Sequence, residues 1–189
     1  GNTDASVGSA VGEYDISLSG AEDNNYTFEY ESGTLTVNKA TLTVTAEDKI
    51  MTYGGAEPAY TFTYSGFVLD ETVDVINEEP SGVSVSETPG DAGLYILSVE
   101  EDGNDDNYDF IYVDGELTVE KAPLTATADE KTKVYGAENP QFTITYSGFM
   151  NADGPTDIVE PTATTSATEL SGVGTYDIIL TDGSADNYV

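Results

Sequence analysis

The chain repeats itself at an offset of 82 residues, and this duplication limits the folds open to it more than any other feature. Residues 39–68 and 121–150 are identical at 16 of 30 positions, which similar composition alone does not produce. Duplicated segments of this kind form separate structural units that contact their neighbours along the chain. Taking the Lys-Ala dipeptide as the seam, we predict three repeats at 1–38, 39–120 and 121–189.

The three repeats differ in extent. The first corresponds to the C-terminal part of a preceding unit, the second is complete, and the third lacks counterparts of about residues 110–120. The first repeat holds a copy of this missing element, so a head-to-tail exchange of strands between neighbouring chains would be an artefact of where the sequence is cut. The sequence leaves open whether residues 1–38 pair within the chain or with a neighbour.

Alternation of apolar and polar residues predicts strands throughout each repeat. In 41–46, Leu42, Val44 and Ala46 alternate with threonines, as in a strand with one buried face. No segment keeps the 3.6-residue apolar period of a helix, and six or seven strand-like runs occur in the second repeat. This number and spacing predict an all-β fold of tandem antiparallel, immunoglobulin-like β-sandwiches arranged end to end.

Two local patterns refine this prediction. Residues 113–116 read Val-Asp-Gly-Glu, and Asp-Gly accepts the positive φ angles of a type I′ turn, which predicts a two-residue hairpin. The seam around Pro123 joins one repeat to the next without a glycine- or serine-rich linker. We therefore expect little bending there and an extended, rod-like arrangement of repeats.

Composition excludes several classes of function. The chain has 36 acidic residues against five lysines, a formal charge of −31, and no histidine, cysteine or arginine. It therefore lacks the residues of His- or Cys-dependent catalysis, of the usual zinc sites and of disulfides. Binding to nucleic acid or anionic lipid is disfavoured because both depend on positive charge. No run of about 20 apolar residues predicts membrane insertion.

Catalysis would have to depend on carboxylates, which are spread along the whole chain. Two acids about 5 to 10 Å apart are sufficient for glycoside hydrolysis, but the repeats single out no recurrent pair. We predict that the protein is not an enzyme and requires no cofactor.

The densest acidic segment, 100–109, is a candidate calcium loop. Hard carboxylate and amide oxygens suit Ca²⁺, and alternate positions of this segment carry oxygen ligands. The candidates are Asp102, Asn104, Asp105 and Asp106. The segment is no EF-hand, because its twelfth position is Val113 instead of glutamate. The alternative is an acidic loop in contact with solvent.

Two dipeptides recur in register with the duplication. Asn-Tyr begins the same predicted strand at Asn25, Asn107 and Asn187. We interpret it as packing, with the Asn capping a turn and the Tyr covering a core edge while its hydroxyl lies in water. Tyr-Gly at Tyr53 and Tyr135 is interpreted as a turn after a strand. A binding role for either, such as stacking of tyrosine on a sugar ring, is the alternative.

Taken in order, the motifs Lys-Ala-x-Leu-Thr, Tyr-Gly, Tyr-Ser-Gly-Phe, Gly-x-Tyr, Asn-Tyr and Gly-x-Leu-Thr-Val resemble the MBG-type repeats of bacterial surface proteins. The resemblance covers essentially the whole chain. It implies an extracellular or cell-surface location, adhesin-like parent proteins in which many copies form a stalk, and no catalytic residues.

Two functions follow from this resemblance. The first is a structural spacer whose partners are the neighbouring repeats of the same protein. The alternative is an adhesive module that binds a glycan or a host or cell-surface protein, with calcium as a conceivable cofactor.

Overall fold

The computed structural model describes all 189 residues, and they form strands joined by turns and irregular segments, with two single-turn 3-10 helices. The strands are β1 Asn2–Thr3, β2 Gly12–Ser17, β3 Gly33–Val37, β4 Ala40–Ala46, β5 Lys49–Thr52, β6 Phe62–Ser65, β7 Val83–Val85, β8 Gly93–Val99, β9 Tyr108–Val113, β10 Gly115–Glu120, β11 Thr125–Ala128, β12 Ile144–Ser147, β13 Thr162–Thr165 and β14 Ile178–Thr181. The 3-10 helices are Val73–Val75 and Pro155–Asp157. No helix is long and apolar enough to cross a membrane.

Contacts divide the chain into two compact units. Unit 1 comprises Gly1–Asp48, Tyr60–Ser86 and Ile96–Glu116, and unit 2 comprises Lys49–Ala59, Glu87–Tyr95 and Leu117–Val189. The boundary falls within the second sequence repeat, where β8 and β10 each pass from one unit to the other. Spatial units and sequence repeats are therefore different divisions of this chain.

Unit 1 contains two three-stranded sheets. One has the order β1-β2-β3 and is antiparallel throughout. The other has the order β6-β4-β9, in which β4 is antiparallel to β6 and parallel to β9. Every second residue of β4 is buried, and Leu42 and Val44 are fully excluded from solvent. The predicted inward face of this strand is thus confirmed.

Four further strands, β5, β7, β8 and β10, form two pairs. Within unit 2, β10 is parallel to β5, and within unit 1, β7 is antiparallel to β8. Leu117 and Val119 on β10 are buried, as are Leu97 and Val99 on β8. The second repeat thus contains seven strands, which agrees with the number predicted from its sequence.

The third repeat, which lies in unit 2, forms two antiparallel pairs, β11 with β12 and β13 with β14. Ala122 and Tyr188 form a parallel bridge beside them and are both buried. This bridge stands where Ala40 pairs with Tyr108 in the second repeat.

The all-β prediction is confirmed, but the prediction that the pairing is antiparallel throughout is wrong. Ala40 pairs with Tyr108 and Lys49 pairs with Leu117, so the partners are 68 residues apart in both parallel ladders. Two long segments, β4 with β5 and β9 with β10, therefore run side by side in one register. The immunoglobulin-like sandwich and the end-to-end arrangement stay predictions.

The predicted hairpin at 113–116 is also wrong. β9 and β10 pair in different sheets, and neither Asp114 nor Gly115 has a positive φ angle. The chain continues forward at this point instead of reversing, because both strands follow the same parallel partner segment. A glycine is required for another reason: a Cβ atom at position 115 would lie 2.5 Å from the carbonyl oxygen of Ala46.

Candidate functional site

Asp105 of the predicted calcium loop is buried and engaged by the backbone. Its Oδ1 accepts the N–H groups of Asn107 at 2.7 Å and Tyr108 at 3.0 Å, and its Oδ2 accepts that of Asn77 at 3.1 Å. The side chain is 3% exposed. These three bonds compensate the carboxylate for lost hydration and fix the loop that precedes β9.

The other candidates are held by separate contacts. Asp102 Oδ1 accepts the N–H of Ser81 at 2.9 Å, and hydrogen bonds from Ser81 lower the pKa of the Asp102 carboxyl. The Asn104 backbone bridges to Glu78, and Asp106 is exposed. The structure contains no group of three or more acidic residues placed to hold a metal ion. Calcium binding by these four residues stays a prediction.

Aromatic and acidic side chains form a cluster in unit 2, where the Tyr-Gly dipeptide that follows β5 contacts side chains of the third repeat. The Tyr53 ring packs edge-on against the Tyr188 ring, with centroids 5.5 Å apart and an interplanar angle of 83°. Phe149 packs edge-on against the same Tyr188 ring at 5.5 Å. Tyr53 and Tyr188 are 6% and 5% exposed, so both aromatic rings are withdrawn from water at this contact.

One carboxylate serves both tyrosine hydroxyls. Tyr53 donates to Asp153 Oδ2 at 2.9 Å, and Tyr188 donates to the same oxygen. The Tyr188 hydroxyl oxygen also accepts the backbone N–H of Met150 at 2.9 Å. Burial, together with the hydrogen bond to Asp153, raises the pKa of Tyr188 above its ordinary value. The second and third repeats are thus joined by the hydrogen bond from Tyr53 to Asp153 as well as by the contact of the Tyr53 and Tyr188 rings.

Gly54 permits the approach of the two repeats. Its φ angle of +70° favours glycine, and a Cβ atom there would lie 2.5 Å from Met150 Cβ. Tyr53 is itself positioned by its backbone N–H, which donates to the carbonyl of Glu120 at 2.8 Å. In the Tyr-Gly turn, Tyr53 therefore supplies the ring that packs against the third repeat, and Gly54 leaves room for Met150.

A second contact lies at the Asn-Tyr dipeptide of the third repeat. Asn187 Oδ1 accepts the N–H of Ala92 at 2.8 Å, and its Nδ2 donates to Asp91 Oδ1 at 2.8 Å. Residues 91–92 precede β8 of the second repeat. We call these contacts the joint; its members are Tyr53, Gly54, Asp91 and Ala92 from the second repeat and Met150, Asp153, Asn187 and Tyr188 from the third.

Unit 1 contains part of this arrangement: one Asn contact between the first and second repeats, and one contact of Tyr with a carboxylate inside the second repeat. Asn107 Oδ1 accepts the N–H of Val11 at 3.1 Å, as Asn187 accepts that of Ala92. Tyr108 is 2% exposed, donates to Glu71 and accepts the N–H of Val68 at 3.0 Å. Glu71 and Tyr108 thus take the places of Asp153 and Tyr188. The Asn contact and the Tyr–carboxylate contact thus recur in both units, and the contacts of Tyr53 and Gly54 belong to unit 2.

The lysine of each Lys-Ala seam supports this region. Lys39 Nζ donates to the carbonyl of Asp105 at 2.7 Å, and Lys121 Nζ donates to that of Ala185 at 2.8 Å. In both repeats the accepting residue lies two positions before the Asn-Tyr dipeptide. The lysine therefore fixes the loop that carries the Asn and Tyr of the joint.

The interpretation of Asn-Tyr from sequence was wrong in two respects. The hydroxyls of Tyr108 and Tyr188 bond to carboxylates, not water, and the Asn107 and Asn187 side chains bind the preceding repeat. The turn predicted at Tyr53 is confirmed, but its ring is buried. The sequence did hold one signal for these contacts, because Glu71 and Asp153 are acidic residues at equivalent positions of two repeats. One recurring carboxylate is hard to recognise among 36 acidic residues.

Comparison with known proteins places these motifs in a family. A family model described as MBG domain (YGX type) matches residues 1–36, 42–118 and 124–189. The Tyr-Gly-x triplet of that description stands in this chain at residues 53–55 and 135–137. No curated protein and no solved structure matches the chain significantly.

Proposed function

The chain belongs to the family of MBG domains of the YGX type, which are repeat domains of surface proteins, and from this premise we propose that it is a structural spacer. In this role it separates other parts of an extracellular bacterial surface protein, and its partners are neighbouring repeats. The observation that carries the proposal is the joint of unit 2, whose contact between the Asn side chain and the preceding repeat recurs in unit 1.

The joint suits a spacer because it combines contacts that resist different displacements. The Asn187 side chain bonds to both backbone and carboxylate of residues 91–92, which opposes sliding. The Tyr53 and Tyr188 rings oppose separation, since opening the joint would part the two rings and leave Asp153 without the hydrogen bond from Tyr53.

No catalytic step forms part of this proposal. The MBG repeats are not a known enzyme family. The tyrosines and carboxylates of the joint contact one another, and this contact accounts for their burial without a substrate.

A reach assay tests the spacer role. The chain is placed between a surface anchor and a short peptide tag, and capture of the tag by bead-bound antibody is compared with a version lacking the chain. We expect capture to rise with the chain present and to fall for Tyr53→Ala, with Tyr135→Ala, whose side chain is 65% exposed, as the matched control. Equal capture with and without the chain would contradict the proposal.

A panel of glycans and cell-surface proteins, probed with the same chain, separates the spacer from an adhesive module. We expect no saturable binding. Binding that is retained in Tyr53→Ala and abolished by substitution of an exposed loop residue such as Asp106 would assign the chain an adhesive role instead.

A further inference from the structure

The chain enters and leaves the second repeat through strands that pair in parallel. It enters at β4 and leaves at β10, and each of these strands belongs to a parallel ladder. In unit 1, residues 40–45 of β4 pair with 108–113 of β9. In unit 2, residues 49–52 of β5 pair with 117–120 of β10. Tension along the chain therefore acts on paired strands in both units.

Parallel pairing determines how tension loads each ladder. In unit 1, the preceding part of the chain pulls on β4 at Ala40, and the following part pulls on β9 at Val113. These two residues lie at opposite ends of the ladder, so the strands are pulled past each other and the interstrand hydrogen bonds are loaded together. Pulling at adjacent ends of a ladder would instead open one bond at a time. Lys49 and Glu120 load the ladder of unit 2 in the same way as Ala40 and Val113 load that of unit 1.

Further contacts secure the start of the β4–β9 ladder. The N–H of Ala40 donates to the carbonyl of Asn107 at 2.9 Å. Lys39 Nζ, one residue earlier, donates to the carbonyl of Asp105 at 2.7 Å. The buried Asp105 carboxylate accepts the N–H groups of Asn107 and Tyr108. The lysine and the aspartate thus fix the loop before β9 at the point where tension reaches β4.

The far end and the inner face of this ladder are also protected. Beyond the last pair, Asp48 Oδ1 accepts the N–H of Glu116 at 2.8 Å, which continues the contact by a side chain. Along the ladder, Leu42, Val44 and Tyr108 are at most 2% exposed. Since these side chains exclude water from one face, a strained backbone bond has no solvent on that face with which to exchange.

The third repeat begins with the same contacts, within unit 2. The N–H of Ala122 donates to the carbonyl of Asn187 at 2.9 Å, and Ala122 forms a parallel bridge with Tyr188. Lys121 Nζ donates to the carbonyl of Ala185 at 2.8 Å. Only Lys121 separates β10 from Ala122, so tension passes from one repeat to the next without a flexible segment.

We propose that the second repeat is a force-bearing module, whose two parallel ladders resist tension along the chain in shear. Tension arises when the two ends of a surface protein are attached to different objects. The proposal rests on the spacer role, because only a link between two attachments carries tension. The reach assay applies no tension, so either proposal can fail while the other stands.

Pulling the β4–β9 ladder in two directions tests this proposal, and the chain has no native cysteine to interfere. Handles are attached to the full chain at exposed positions, as Asn38→Cys with Asp114→Cys at opposite ends of the ladder, or as Asn38→Cys with Asp109→Cys at the same end. The two pairs enclose nearly equal lengths of chain, so opening is recognised by a similar release of length. We expect the 38–114 pair to open at a force at least about twofold higher, because its bonds break together instead of in succession.

Melting temperature is the control for this comparison. All three substituted positions are exposed, and the ion pair of Asp109 with Lys39, at 3.8 Å, is a surface contact that contributes little. Both double variants should therefore melt with the wild type. A difference in opening force then reports the direction of pulling and not a difference in stability.

The unaltered chain provides a second measurement, when it is pulled through its own ends between two reference domains of known unfolding force. The second repeat should open in one event at the force of the 38–114 pair. This event should release at most about 300 Å, since each of its 82 residues extends to about 3.6 Å. Equal forces for the two cysteine pairs, or opening of the unaltered chain at the force of the 38–109 pair, would overturn the proposal.

Discussion

At the scale of single residues, Gly54 and Gly136 occupy equivalent positions with different surroundings. Both have positive φ angles, +70° and +84°, but a Cβ atom at 54 would meet Met150 at 2.5 Å, whereas one at 136 has no neighbour within 4 Å. Gly136→Ala should therefore cost only backbone strain of about 1 to 2 kcal/mol. Gly54→Ala should cost a further 1 to 3 kcal/mol, roughly, from steric overlap.

Urea denaturation of the two alanine variants measures this difference in free energy of unfolding. The shared backbone strain cancels in the comparison, and only the contact across the joint remains. Equal losses would show that Met150 moves aside without cost, and would remove Gly54 from the joint.

The tyrosines of the joint predict an alkaline limit to stability. Burial, and then hydrogen bonds to Glu71 and Asp153, raise the folded-state pKa of Tyr108 and Tyr188 above 10.0. Because the unfolded chain releases these protons first, the contribution to stability is complete below pH about 10 and is lost as the pH rises toward the folded pKa.

Melting temperature measured across pH about 8 to 11.5 should accordingly fall above pH 10, and the fall should be shallower in Tyr188→Phe. Tyr135→Phe, at an exposed position, should follow the wild type. An equally steep fall in Tyr188→Phe and wild type would show that this hydroxyl does not titrate with unfolding.

At the scale of strands, Leu42 and Leu124 are equivalent residues in sheets of different completeness. Leu42 is fully buried on β4, which has partners on both edges, while Leu124 precedes β11 and is partly exposed. Leu42→Ala should reduce the free energy of unfolding by about 2 to 5 kcal/mol, and Leu124→Ala by less. Hydrogen exchange of the backbone amides of β4 and of β11 measures the two losses of stability separately. A larger loss for Leu124→Ala would contradict the assignment of the greater burial to Leu42.

The strands illustrate what the sequence predicts and what it does not. A two-residue period identifies the buried face of β4, because Leu42, Val44 and Ala46 alternate with threonines. The same period does not indicate which strand lies beside β4 or whether the two strands run in the same direction. The parallel pairing of β4 with β9 was therefore not predicted. The hairpin predicted from Asp-Gly at 114–115 was wrong because the glycine is required by the close approach of the Ala46 backbone, not by a turn.

The joint was missed for a related reason. Its residues lie far apart in sequence: Tyr53 and Asp153 are brought together only by packing of consecutive repeats. Duplication located Tyr-Gly and Asn-Tyr as special positions. It did not reveal that the two dipeptides belong to one cluster.

At the scale of the whole molecule, five lysines cannot neutralise 36 acids. Self-repulsion destabilises the folded chain, and salt reduces it because the screening length falls from about 10 Å at 0.1 M to 3 Å at 1 M. We expect the melting temperature to rise with NaCl and further with millimolar divalent cation, Mg²⁺ acting as well as Ca²⁺. A saturable rise specific to Ca²⁺ and reversed by EDTA would instead indicate coordination at Asp102, Asn104, Asp105 and Asp106.

The central claim is that the joint holds consecutive repeats in one arrangement, and a distance distribution across it tests that claim most directly. Spin labels on cysteines at Ile50 on β5 and Ser147 on β12, both within unit 2, report the separation of the second and third repeats at the joint. The measurement is made on wild type, Tyr53→Ala and Tyr135→Ala backgrounds by pulsed electron resonance at low protein concentration. We predict one narrow distribution for wild type and Tyr135→Ala and a broad one for Tyr53→Ala. Distributions of equal width in all three would contradict the account.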